Sequence, residues 1–219
     1  MKLFLACAVA VGMAGCHEAR SVRKTAAHPA PDWSIDKCRI TYKGRLVPLG
    51  DTITKWVEMF GPPSDSSYMF NEEQPGFQFY VWDNVGIKAG AMAFRHAGHL
   101  YSMLLFLEPT IDEEVKPRFP KRPIQNGLLM DGEFVDSTNF AEFVLANFEE
   151  STQRYRPKSF VRHFELGDSL SLRSSPNLTG DQPKGALGFV LYPLTPTANS
   201  SYATEVQKLD ANCVLPGSN

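Results

Sequence analysis

The chain has 219 residues, 43% apolar and 11% aromatic, with 22 Lys and Arg against 24 Asp and Glu and a formal net charge of −2. That composition suits a packed core and excludes a disordered chain. The near-neutral balance excludes the basic footprint of a nucleic-acid binder and gives no reason to expect an anionic surface as partner.

In chain order, Met1-Lys2 brings one positive charge, and Leu3 to Met13 is an unbroken run of apolar and small residues. The run is too short for a spanning helix, which needs about 20 apolar residues. It has the length of the apolar region of a secretory signal, roughly 7–15 residues. It ends in Met13-Ala14-Gly15-Cys16, which resembles the lipobox of bacterial lipoproteins. The resemblance implies removal of residues 1–15, lipid on the Cys16 thiol and acylation of the new amino group. Several acyl chains anchor stably where one, at about 0.8 kcal/mol per buried CH₂, is marginal. The alternative is an ordinary cleaved signal with a chance cysteine. His17 stands where Asp would retain an enterobacterial lipoprotein in the inner membrane, so the expected location is the outer membrane, facing the periplasm. Residues 16–32 carry charges and prolines without apolar periodicity and read as a flexible tether. With Cys7 in the signal and Cys16 lipidated, Cys38 and Cys213 remain. In the oxidising periplasm they pair most simply as a disulfide closing about 175 residues; two separate buried thiols are the alternative.

Order is expected from Trp33. Ile40-Thr41-Tyr42 and Leu46-Val47 flank Lys43-Gly44, a hairpin signal. Asp51 reads as the N-cap of a helix with Ile53, Trp56, Val57 and Phe60 on one face, stopped by Gly61-Pro62-Pro63. Gln78 to Trp82, Gly86 to Phe94 and His99 to Leu107 read as strands, with turns at Asp83-Asn84 and Ala97-Gly98. Residues 111–123 form a charged connector. Then Leu128-Leu129-Met130 and Phe134-Val135 flank Asp131-Gly132. Asn139 reads as a second N-cap, in a capping box with Glu142, and Phe160 to Phe164, Ser169 to Arg173 and Leu187 to Leu191 are later strands. A shift of 88 residues lays Gly44 on Gly132 and Trp56 on Val144. The expectation is an α+β fold: antiparallel sheet with two packed helices, as a tandem ββαβββ repeat of modules 33–110 and 124–219. The alternative is two amphipathic segments that look alike without being a repeat.

Leu49-Gly50-Asp51 through Met59-Phe60-Gly61-Pro62, followed by Tyr80-Val81-Trp82, resembles the small lipoproteins of the outer-membrane barrel-assembly machine and the related β-lactamase-inhibitor-like modules, with Phe60 in place of the usual Leu. The segment Ile40 to Ile87, with Tyr42-Lys43-Gly44 and Trp82-Asp83-Asn84-Val85-Gly86-Ile87, is similar to a group of bacterial envelope proteins, some of which lie beside toxin genes as immunity proteins do. These motifs describe turns and packing, so what they imply is chiefly fold.

The search for chemistry finds little. His96 and His99 straddle a turn without a third ligand. Asp112-Glu113-Glu114 lacks the oxygen spacing of a calcium loop. There is no GxSxG, phosphate loop, HExxH or zinc cysteine cluster. The expectation is therefore a protein without catalytic residues, metal or cofactor. Alternation puts Phe77, Phe79 and Val81 on one face of a strand and Tyr80 and Trp82 on the other. Phe77, Tyr80 and Trp82 are the candidate partner-binding strip, and a fully packed core strip is the alternative. The expected role is a lipid-anchored periplasmic module that binds a protein, in one version a toxin that it neutralises; an envelope assembly or scaffolding accessory is the second reading.

Overall fold

The computed structural model describes residues 29–71, 74–92, 98–109, 119–151, 159–166, 170–178, 185–193, 201–209 and 213. Strands β1 (Trp33–Asp36), β2 (Arg39–Tyr42) and β3 (Arg45–Leu46) lead into helix α1 (Ile53–Phe60) and strands β4 (Asp65–Asn71), β5 (Gln74–Trp82), β6 (Ile87–Met92) and β7 (Ser102–Phe106). The second half has β8 (Leu128–Met130), β9 (Glu133–Val135), α2 (Phe140–Asn147), β10 (Glu149–Ser151), β11 (Ser159–Leu166), β12 (Leu170–Asn177), β13 (Ala186–Pro193) and α3 (Tyr202–Lys208). The fold is α+β. A small sheet runs β3-β2-β1-β8-β9 and a large one β10-β11-β12-β13-β7-β6-β5-β4. Within these sheets β1–β8 is a parallel pair and the other neighbours are antiparallel.

The two hairpins repeat in register. Thr41 pairs with Leu46 and Tyr42 with Arg45; 88 residues on, Leu129 pairs with Phe134 and Met130 with Glu133. Both turns place two successive residues at positive φ: Lys43 is at 49° with Gly44 at 73°, and Asp131 at 50° with Gly132 at 85°. This is the backbone that a two-residue turn needs to match strand twist. Each hairpin is followed by a helix and four strands, one strand more per half than the sequence pattern indicates. The halves share both sheets: β1 of the first lies beside β8 of the second, and β7 beside β13. One apolar core takes residues from both halves, so the segment 111–123 divides the chain without separating two cores.

Helix α1 buries Trp56 and Phe60 against this core, while Val57 stays 37% exposed. Its N-cap is Thr52, not Asp51. Asp51 belongs instead to an extended pairing in which Gly50 N–H donates to Leu100 O and Leu100 N–H to Asp51 O. Gly61, at φ 80°, ends the helix and returns its N–H to Val57 O at 2.9 Å. Asn139 is the N-cap of α2, but its side chain makes no cap bond. Its Oδ1 accepts from Asp136 N–H and its Nδ2 donates to Phe134 O, fastening the preceding loop. The Trp56 indole lies 5.7 Å from Trp82 and 5.6 Å from Phe60, and Phe60 lies 5.8 Å from Trp33. These rings join α1 to both sheets. Trp56 Nε1 has no hydrogen-bond partner, so packing alone holds it. Trp56→Ala should therefore lower stability by about 3–5 kcal/mol in urea denaturation. A loss under about 1 kcal/mol would mean that this face of α1 is not core.

Candidate functional site

Register assigns the aromatic strip to two different places. Phe77, Phe79 and Val81 pair with Met92, Gly90 and Lys88 and share the outer face of the large sheet, turned away from the core. Tyr80 and Trp82 share the inner face with Ala89 and Ile87. Trp82 is fully buried, its Nε1 donating to Gly61 O at 2.8 Å, and it is corrected from a candidate exposed anchor to a core residue. The reason is α1, which lies over the inner face at that end. Tyr80 is half-buried and packs on the edge of the core, 6.2 Å from Trp82. Phe77 stays half-exposed on the outer face, stacked on Phe79 at 6.1 Å.

The outer face is shaped by two glycines. A Cβ on Gly90 would stand 2.8 Å from the Phe79 ring, and one on Gly188 would stand 3.1 Å from Leu104, so both side chains lie down over bare backbone. Beneath Phe79 sits Lys88, 6% exposed, its Nζ 4.9 Å from that ring and 4.5 Å from Phe119. Burial lowers its pKa to about 8. Phe119 also packs on Phe106 at 5.6 Å, and Ile124 N–H donates to Phe106 O, which closes this face at one end. Phe77, Leu104, Val190 and the 40%-exposed Tyr192 remain partly open. Register adds Ser102 and Arg173 to this face beside Val190, so its open part is a mixed surface with an apolar centre that can meet another protein surface.

The second feature joins the first described strands to the last described residue. Cys38 and Cys213 form a disulfide with Cα atoms 5.9 Å apart. Strand β3 stops at Leu46, before Pro48, so β2 has no strand beside Ile40 N–H and Cys38 O on that side. The Tyr202 hydroxyl of α3 fills the gap: it accepts from Ile40 N–H at 2.8 Å and donates to Cys38 O. The Arg39 guanidinium donates to Leu209 O at 2.9 Å. Burial pushes the Tyr202 phenol far above its ordinary pKa, so the hydroxyl keeps its proton. Helix α3 went unread in the sequence, although Ser201 before Tyr202, Val206 and Leu209 at i, i+4 and i+7 is a legible start and face.

Of the other candidates, His99 uses Nδ1 to donate to Gly50 O at 2.7 Å. Cys16, His96 and Asp112 to Glu114 lie outside the described residues. Among the described residues no helix is long and apolar enough to cross a membrane.

Fold and site together define a two-sheet α+β protein with two ββαββββ stretches, a partly apolar outer face and a disulfide beside its C-terminal helix. The chain belongs to the family of the domain of unknown function DUF7738, whose model matches residues 34–145. The match runs from β1 into α2 and takes in the small sheet with half of the large one. No curated protein and no solved structure matches the chain.

Lys88 gives this site a pH signature. Unfolded, it holds its proton up to about pH 10.5; folded, only to about pH 8. Between those values the unfolded state binds the extra proton, so this group makes stability rise with pH. Comparing urea denaturation at about pH 7.5 and 9.5, the native chain should gain ~1–3 kcal/mol more than Lys88→Met. Equal gains in the two chains would mean that Lys88 is not desolvated.

Proposed function

We propose that the protein is a lipid-anchored module of the bacterial envelope, held through Cys16 at the outer membrane and facing the periplasm, that binds a protein partner without catalysis. The observation that carries this reading is the sequence at the N-terminus: an apolar signal closing on Met13-Ala14-Gly15-Cys16, then a charged, proline-bearing spacer that reaches the first strand at Trp33. The Cys38–Cys213 disulfide supports it, since such bonds persist in oxidising compartments. The outer face of the large sheet supports the binding half of the reading, with Phe77 as its aromatic anchor, because aromatic residues carry much of the energy of protein interfaces. In its specific version the partner is an envelope-acting toxin and the protein its immunity factor, which rests on the resemblance of Ile40 to Ile87 alone. The second reading, an assembly or scaffolding accessory, uses the same surface, and proximity to a toxin gene distinguishes the two.

Two measurements test the proposal. Cys16→Ser should leave unprocessed precursor that takes up no labelled palmitate; normal labelling of that variant would remove the anchor from the reading. Proximity crosslinking in intact cells should capture one abundant partner. Capture should fall about tenfold or more for Phe77→Ala with Tyr192→Ala, with melting temperature nearly unchanged. Undiminished capture by that variant would place the interface elsewhere, and turnover of a substrate that a single-residue knockout abolishes would overturn the binding reading.

A further inference from the structure

The four sheet edges are unequal. Strand β3 has two residues, β9 and β10 have three each, and the last two begin with glutamates. Short and charged edges resist pairing with another chain. Strand β4 is seven residues long, is paired with β5 alone in its sheet, and carries one charge, Asp65, at its end. Its outward side is in solvent: Ser66 is exposed and Tyr68 is 57% exposed. Ser66 N–H is held by Asp65 Oδ1 at 2.9 Å, so it faces away from β5, and by the alternation of an antiparallel ladder so does Tyr68 N–H.

We propose that β4 pairs antiparallel with β4 of a second copy of this chain, centred on Ser67, joining two large sheets into one. The sequence of the strand is complementary to itself in that register. Ser66 meets Tyr68 of the second copy, so each pair combines a small residue with a large one. Ser66 pairs within its own sheet with Tyr80, and Ser67 with Phe79. The small edge residues therefore leave an aromatic ring within reach on each face of the sheet. Each Tyr68 ring lies back over Gly76 of its own β5, so the seam opposite Ser66 is left clear of bulk. The two Asp65 side chains fall at opposite ends, each opposite a Met69, so no like charges meet. The irregular register between Met69 and Asn71 ends the pairing beyond that point. Ser66 N–H exchanges Asp65 Oδ1 for Tyr68 O of the second copy, and Ser66 and Tyr68 then form hydrogen-bonded pairs on either side of a non-hydrogen-bonded Ser67–Ser67 pair. An interface this narrow falls below the area of a standard stable complex, so the dimer is weak and depends on concentration.

The register gives a direct test. Non-hydrogen-bonded antiparallel residues stand with Cα atoms about 4.5 Å apart, within disulfide range. In the full chain with Cys38–Cys213 closed, Ser67→Cys should form a linked dimer under mild oxidation at least about tenfold faster than Ser151→Cys on the β10 edge. Adding Ser66→Lys should bring the rate down to that of Ser151→Cys without changing the melting temperature. Sedimentation of the native chain from about 5 to about 500 µM should show a reversible monomer–dimer equilibrium. A native chain that stays monomeric throughout, or a Ser67→Cys rate no higher than that of Ser151→Cys, overturns the proposal whatever Ser66→Lys does to folding. Linkage of Ser67→Cys in cells to a different protein, in place of a second copy, overturns it in favour of a foreign strand.

Discussion

Strand β1 has to lie between two strands of opposite direction, and much of the architecture follows from that. Strands β2 and β8 open the two equivalent hairpins, and β1 runs antiparallel to the first and parallel to the second. Without it, both hairpins would present unpaired backbone groups in the middle of a buried sheet. Its inward residues, Trp33 and Ile35, sit in the core. In the large sheet the halves meet directly, β7 against β13. Neither half can close the core alone. A single carboxylate fastens the arrangement: Asp131, in the β8–β9 turn, accepts from Lys37 N–H after β1 and pairs with Arg162 of β11. Arg162 in turn donates to Asn147 O at the end of α2 and lies over Phe148. A half-buried, charge-assisted pair of this kind fixes orientation as well as adding stability.

What the sequence makes legible here is whatever short-range chemistry decides. Lys43-Gly44 and Asp131-Gly132 demand tight turns, and the turns fix the hairpin registers. Trp56 and Phe60 followed by Gly61-Pro62 specify a helix, its apolar face and its end. The N-cap moved from Asp51 to Thr52 because Gly50 and Asp51 are drawn into pairing with Leu100, a contact from far along the chain. Strand β4 reads poorly because Asp-Ser-Ser has little preference for sheet; its neighbour β5 makes it a strand. Strand β10 is two glutamates and a serine, set by β11 alone. Alternation divided Phe77 from Trp82 correctly, but which face of a strand is covered depends on the layer packed against it. Trp82 was therefore legible as an aromatic on one face and illegible as core.

The candidate surfaces share a physical origin. A large sheet has two faces and two edges, and the core can cover one face only. The inner face receives α1 and the small sheet. On the outer one Phe79 lies over Gly90 and Leu104 over Gly188, and Phe119 from outside the sheet covers Lys88 and Phe106 at one end. Lys88 lies there with its ammonium facing the rings of Phe79 and Phe119, and its burial lowers its pKa. Such a group stabilises the fold poorly at neutral pH, which sets it apart from the surrounding apolar positions.

The first and last described segments bear on how these surfaces would be presented. The chain enters at β1, where Asp32 O accepts from Lys43 N–H, and Cys213 is bonded to Cys38 just after the same strand. Both ends are thus pinned to the small sheet. If lipid holds Cys16, a spacer of about 16 flexible residues reaches roughly 20–25 Å on average, less than its stretched length. On that proposal the tether joins the fold on the side of the small sheet, across the core from the outer face of the large one. The disulfide has a particular place in this arrangement: it holds the chain after α3 to the chain before β2, so that Tyr202 continues to close that strand.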